Sequence, residues 1–268
     1  MAGPPQIDLA GKYAFVTGGS KGMGFGIARA FLACKARVAI CSNEPESLAQ
    51  AQIELDAGDN LLAIEADVSL GVNVKNAIEQ TVDRFGGLNV LVNSAGIQRY
   101  GTITDTPEET WDEVMAVNLK GVYWASRCAI PHIEKAGGGA VINLASVQAF
   151  ASQSNVAAYT ASKGAILALT RAMALDHADA GVRVNAICPA AIDTPMLRWA
   201  AELWKGDNTA EATIASWGKG HPAGRVGSIE EVAAVAAFLA SDLCPFMTGA
   251  DIKVDGGVLS KLGIILPE

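Results

Sequence analysis

Seven short runs of apolar and β-branched residues recur along the chain: Tyr13–Thr17, Arg37–Cys41, Leu61–Ala66, Asn89–Val92, Ala140–Leu144, Arg183–Cys188 and Ile252–Val254. Between them lie longer segments, near 23–34, 45–57, 70–85, 107–135, 155–179 and 228–241, whose apolar residues repeat every three or four positions, as on a helix with one buried stripe. A strand followed by a helix of that length comes back beside its neighbour in the same direction, through a right-handed crossover. The alternation therefore predicts an α/β fold, a parallel sheet covered by helices on both faces. In such an open sheet, ligands collect at the carboxyl ends of the strands.

A chain of 268 residues is near the upper limit for one hydrophobic core. Half of it is hydrophobic and 18% is charged, the balance of a packed globule rather than a disordered chain. No repeat, low-complexity tract or Pro/Gly/Ser linker divides it, so residues 1–268 read as one domain. The rhythm breaks only at 194–227, where Trp199, Trp204 and Trp217 sit in two short helical patterns with a polar, glycine-bearing gap, and this region is expected to be a substrate lid. The tail at 258–268 carries an apolar cluster, Leu262–Leu266, that needs burial, across a subunit interface or against a neighbouring active site.

Charge narrows the possible partners. A net charge of −8 gives no basic footprint for nucleic acid or an anionic membrane. Neither Met1–Gly11 nor any later stretch has the makings of a signal peptide or a spanning helix. Five scattered cysteines without a C-x-x-C pair read as buried free thiols, and the expected compartment is a reducing cytoplasm. His132, His177 and His221 form no metal-ligand spacing, so no metal is expected.

The first strand runs into Thr17-Gly18-Gly19-Ser20-Lys21-Gly22-Met23-Gly24, and a helical pattern begins at once. Glycines at 18, 22 and 24 let backbone approach a pyrophosphate, whose charge meets the free amides and positive dipole end of the helix; a plain tight turn would use the same residues. Farther on, Tyr159 and Lys163 stand four apart, on one face of a helix. An ammonium there favours the phenolate and makes a proton shuttle, whereas on a solvated face the pair would do nothing. Ser146 follows the fifth strand directly and so sits at the ligand edge of the sheet.

Taken together, Thr-Gly-x-x-x-Gly-x-Gly at 17–24, Asn93-Ser94-Ala95-Gly96, Asn118, Ser146 and Tyr-x-x-x-Lys at 159–163 resemble a short-chain dehydrogenase/reductase, in order and spacing, from about residue 9 to 258. The resemblance implies a single doubly wound Rossmann-type domain with seven parallel strands, a nicotinamide cofactor and a homotetramer. It also implies that Ser146 holds the substrate oxygen and Tyr159 exchanges its proton. Lys163 would lower the tyrosine pKa and bind ribose, and Asn118 would organise a water beside it. The cofactor-binding set it implies is Gly18, Ser20, Lys21, Gly22, Met23, Gly24, Ser42, Asn43, Asp67, Val68, Asn93, Ala95, Gly96, Tyr159, Lys163, Pro189, Ile192 and Thr194. Two positions depart from the family pattern: Ser94 stands for a second asparagine and Ala190 for a glycine.

An acid at the end of the second strand would select NAD and an arginine NADP, but Ser42 and Asn43 do neither strongly. Lys21 either approaches a phosphate or faces solvent. NAD is preferred and NADP is not excluded. Finer likeness, in Ser146-Val147-Gln148, Cys188–Pro195 and Trp217–Pro222, is to the aldose 1-dehydrogenases, which implies a monosaccharide oxidised at its anomeric hydroxyl. Gln148, Gln98, Arg99, Asn155 and His221 are the candidate substrate contacts, with Arg99 and Arg198 significant for an anionic sugar. The alternatives are a carbonyl or 3-oxoacyl reductase, another secondary-alcohol dehydrogenase, and a nicotinamide-binding regulator without turnover.

Overall fold

The computed structural model describes residues 6–262. Seven parallel strands form one sheet: β1 (Tyr13–Thr17), β2 (Arg37–Ser42), β3 (Leu61–Glu65), β4 (Val90–Asn93), β5 (Gly139–Leu144), β6 (Val182–Pro189) and β7 (Asp251–Val254). Their spatial order is β3-β2-β1-β4-β5-β6-β7, so the chain winds outward one way from β1 and then crosses back to β4 to wind the other. Register follows from burial: Ala14, Phe15 and Val16 of β1, flanked by Val38–Ile40 and Val90–Val92, are almost wholly buried, as strands covered on both faces must be.

Two apolar layers sandwich this sheet. On one face α1 (Gly22–Ala33) and α9 (Ile229–Ala240) pack Ile27, Phe31, Val232 and Ala236 against Val16, Ile40 and Val92. The other face is covered by α3 (Gly71–Phe85), α5 (Gly121–Lys135) and α6 (Ala157–Asp176), through Ile78, Ala125, Ile133 and Met173. The short helix α2 (Pro45–Leu55) follows β2. A capping box starts α9: the Ser228 hydroxyl accepts from the Glu231 amide while the Glu231 carboxylate accepts from the Ser228 amide.

One long helix expected over 107–135 is three pieces. Helix α4 (Glu108–Met115) runs into a wide π-turn at Ala116–Lys120 before α5 begins. The π-turn contains Asn118, whose side chain bonds away from its own helix, and one-turn widenings of this kind occur at functional sites. The region 194–227 holds the two short helices expected of it, α7 (Pro195–Trp204) and α8 (Ala210–Lys219). Of the expected tail, 263–268 lie outside the described residues.

The glycine turn is shaped by lack of room. Gly18 has φ +63° and a Cβ there would stand 2.8 Å from the Cα of Ala95, while one on Gly24 would collide with the Gly18 carbonyl. Because that obstacle is backbone and cannot rotate away, Gly24→Ala should lower stability by roughly 1–3 kcal/mol in urea titration and weaken dinucleotide binding with it.

Candidate active site

The glycine turn and the ends of β4, β5 and β6 surround a cavity of about 840 Å³ on the carboxyl edge of the sheet. Ser146 follows β5 and lines it; the Ser146 hydroxyl accepts from the Gln148 amide at 3.1 Å, which starts a tight turn and aims the next residues along the wall. Tyr159, in the first turn of α6, lines the same cavity. One helical turn later, Lys163 is buried, donates to the Leu144 carbonyl at 2.7 Å and stands 5.5 Å from the Tyr159 ring centroid.

These charges differ from the simple expectation. Burial pushes the Tyr159 phenol up to about 12, partly opposed by its hydrogen bond with Ser146. Lys163 goes the other way, to about 8, again because burial penalises charge. Burial is the largest cause of both shifts, and the Lys163 ammonium donates to the Leu144 carbonyl.

Asn118 is fully buried, and its amide works as a strut. Its Oδ1 accepts from the Ile97 amide at 2.8 Å, and its Nδ2 donates to the Ile97 carbonyl at 2.9 Å and to Ser162 Oγ at 3.1 Å. The amide expected to organise a water is thus spent on joining β4's following segment to α6. Gly96 lies beside it, where a Cβ would come within 3.4 Å of Asn118 Oδ1 and 3.6 Å of Lys163 Nζ.

Five of the expected cofactor residues, Tyr159 among them, line the cavity. Met23, Pro189, Ile192 and Thr194 face the cavity, and Thr194 caps α7 by accepting from the Leu197 amide. Gly22 sits under Thr194, which brings the first turn of α7 over the glycine turn. At the end of β2, Ser20 bonds to Ser42 at 3.0 Å, and Ser42 in turn accepts from the Glu44 amide. Asn43 follows, exposed, and Asp67 accepts from the Ser69 amide to form the turn past β3, with Val68 buried behind it. Two positions are turned elsewhere. Asn93 is buried, and its amide donates to Asn143 at 2.8 Å inside the sheet, because its place in the strand points it inward. Lys21 pairs with Glu44 across the turn rather than standing free.

Among the expected substrate contacts, Gln98, Gln148, Asn155 and His221 line the cavity, with His221 Nδ1 anchored to the Trp217 carbonyl at 3.1 Å. Arg99 is a correction: its guanidinium is held outside by both oxygens of Glu113, at 2.6 and 3.0 Å. Arg198 is likewise paired, with Asp193 at 2.8 Å. Tyr100 and Met196 were missed by the sequence reading, though each belongs to a loop or lid that follows a strand end. Among the described residues no group of three or more His, Cys, Asp or Glu is arranged for a metal ion, and no helix is long and apolar enough to cross a membrane.

Since Asn118 satisfies three buried groups at once, Asn118→Ala should cost roughly 1–3 kcal/mol in a thermal or urea melt besides its effect on turnover, whereas an amide with a purely chemical role would leave the melt unchanged.

Comparison with known proteins agrees with this geometry. A family model described as enoyl-(acyl carrier protein) reductase matches residues 18–259. L-fucose dehydrogenase of Bos taurus is 40% identical over 92% of this chain and 89% of its own length. 2-(R)-hydroxypropyl-CoM dehydrogenase of Xanthobacter autotrophicus is 38% identical over 91% of this chain and 97% of its own. Among solved structures, the ligand-free aldohexose dehydrogenase of Thermoplasma acidophilum superposes with a TM-score of 0.90 at 39% identity, covering 98% of this chain and all of that one. Likeness over nearly the whole chain shows descent rather than one shared motif, and the chain belongs to the short-chain dehydrogenase/reductase family, oxidoreductases that act on CH–OH groups with a nicotinamide cofactor.

Proposed function

We propose that this enzyme oxidises the anomeric hydroxyl of an aldose to a lactone, with NAD as its cofactor. The observation that carries the reading is the composition of the cavity: uncharged amides, an imidazole and hydroxyls share it with an aromatic and methionine-bearing lid, beside Ser146 and Tyr159. A sugar offers many hydroxyls and few apolar faces, and each buried hydroxyl left unpaired costs about 1–3 kcal/mol, so its site needs Gln98, Gln148, Asn155 and His221 or groups like them. The sugar names among the similar proteins support the same class. With both nearby guanidinium groups committed to carboxylates, a neutral aldose is favoured over an anionic one.

The residues present fit a dinucleotide: the turn at 18–24 excludes side chains where a pyrophosphate would lie, Ser20 bonds to Ser42 past the end of that turn, and Ile192 and Thr194 line the cavity, with Asp67, Ala95 and Gly96 as the further contacts of this reading. Held there in its oxidised form, the cofactor supplies a hydride acceptor and a positive ring that favours phenolate. Tyr159 Oη takes the proton from the substrate hydroxyl, and Ser146 holds that same oxygen. Lys163, fixed by Leu144, supports the ribose side, while Asn118 keeps the 96–97 segment in place. The lid at 194–227 closes over the substrate and excludes water.

The cofactor preference rests on Glu44. Lys21 holds its carboxyl below the usual carboxylate range, so it stays ionised beside the adenosine end of the groove. There it neutralises the Lys21 cation, which a 2′-phosphate would seek, and repels the phosphate itself. Cytoplasmic location and a homotetramer complete the proposal. The first is supported by five free thiols, and the second by the small residues of α6 from Ala157 to Ala168, which allow another helix to come close.

Assay of NAD⁺ and NADP⁺ reduction with L-fucose, D-glucose, meso-2,3-butanediol and a 3-hydroxyacyl thioester tests the reading, and a thioester turned over faster than every sugar would replace it with the 3-oxoacyl reductase alternative. Tyr159→Phe should cut kcat by about 10²–10⁴ while cofactor binding persists. Because the phenol is held protonated above its ordinary value, oxidation, which needs phenolate, should accelerate between about pH 7 and pH 10, and carbonyl reduction, which needs the phenol, should not. Glu44→Gln should raise kcat/KM with NADP⁺ relative to NAD⁺ by about tenfold.

A further inference from the structure

The segment between Gly96 and α4 is pinned at both ends. At its start, Ile97 has both backbone groups bonded to the Asn118 amide. At its end, Gly101 pairs with Val156 in a parallel bridge, its amide donating to the Asn155 carbonyl at 2.8 Å. Three residues span the gap. Gln98 and Tyr100 line the cavity, and Arg99 between them turns out to Glu113.

Tyr100 is fixed from the lid side as well. Its ring stacks on Trp199 at 5.7 Å between centroids, with 24° between planes, and meets Trp204 edge-on at 5.2 Å and 80°. Both geometries are favourable for aromatic pairs. The two indoles are 45% and 51% exposed, so α7 presents them to Tyr100 rather than to the core. Burial pushes the Tyr100 phenol up, against a hydrogen-bonding approach from Trp204, so the ring is uncharged at working pH. It is also close enough to Tyr159 for charge on one phenol to disfavour charge on the other. An aromatic face held on two sides loses little freedom when a ligand settles on it.

We propose that Tyr100 is a substrate-positioning residue: its ring, clamped between Trp199 and Trp204, is the face against which the substrate's carbon skeleton lies while its hydroxyl reaches Ser146 and Tyr159. The sugar class of that substrate rests on the function proposed above, but the placement of the ring does not. A ring-sized substrate covers this face more fully than a four-carbon diol, so loss of the face penalises the hexose more.

The test is steady-state oxidation of L-fucose, D-glucose and meso-2,3-butanediol by the unsubstituted enzyme, Tyr100→Leu, Tyr100→Phe and Trp199→Leu, with the NAD⁺ dissociation constant and melting temperature measured for each. Tyr100→Leu should raise the hexose KM by about tenfold or more, with kcat changed less than about threefold and the butanediol KM moved by less than the hexose KM. Tyr100→Phe, which keeps the ring, should recover most of the hexose KM. Trp199→Leu loosens the clamp from outside the cavity, should raise the hexose KM to a smaller extent, and decides the matter if Tyr100→Leu does not fold. An unchanged hexose KM in Tyr100→Leu overturns the proposal, as does equal weakening of NAD⁺, diol and hexose with a lowered melting temperature, the mark of a purely structural role. If the unsubstituted enzyme oxidises butanediol but neither sugar, the aldose reading fails by itself; a raised butanediol KM in Tyr100→Leu then supports the positioning role and an unchanged one overturns it. Turnover of none of the three overturns both.

Discussion

Parallel pairing makes all seven strands end on one edge of the sheet, and the chemistry depends on that edge. A strand's carboxyl end must be followed by a loop, and here the segments after β1, β4, β5 and β6 bring Met23 of the glycine turn, Gln98 and Tyr100, Ser146, and residues of 194–221 to one cavity. The order reverses between β1 and β4, which parts their loops and leaves a crevice. Backbone fills its floor so closely that Gly18 approaches Ala95 and Gly24 approaches Gly18, leaving the amides of α1 open to an anionic ligand.

Burial then sets the charges. Tyr159 and Lys163 share a dry environment, which favours neutral phenol and neutral amine. Burial therefore favours the protonated phenol at Tyr159. Elsewhere the structure spends its charges on the surface. Arg99, Arg198 and Lys21 are each paired with an acid, so the cavity and its cofactor end meet ligands with amides and hydroxyls instead.

Helix α7 connects these parts. Thr194 starts α7 above Gly22, and Trp199 and Trp204 at its far end grip Tyr100. Tyr100 belongs to a segment held by Asn118, and Asn118 bonds to Ser162 one residue before Lys163. A continuous set of contacts therefore runs from α7 through the 97–101 segment to α6.

Periodicity in the sequence already determined the seven strands, their parallel direction and the glycine turn, since each is written within a few neighbouring residues. The four-residue spacing put Tyr159 and Lys163 on one helical face for the same local reason. Other features depended on elements far apart in the chain. The π-turn at 116–120 forms around bonds from Asn118 to Ile97, Asn93 turns inward to Asn143, and Arg99 turns outward to Glu113. No pattern in the sequence marks Tyr100, because its role comes from two tryptophans a hundred residues away that only the strand order brings near. Local chemistry chose the elements and the reactive groups; long-range packing chose which of them face one another, because a side chain's partner depends on strand order and its secondary structure does not.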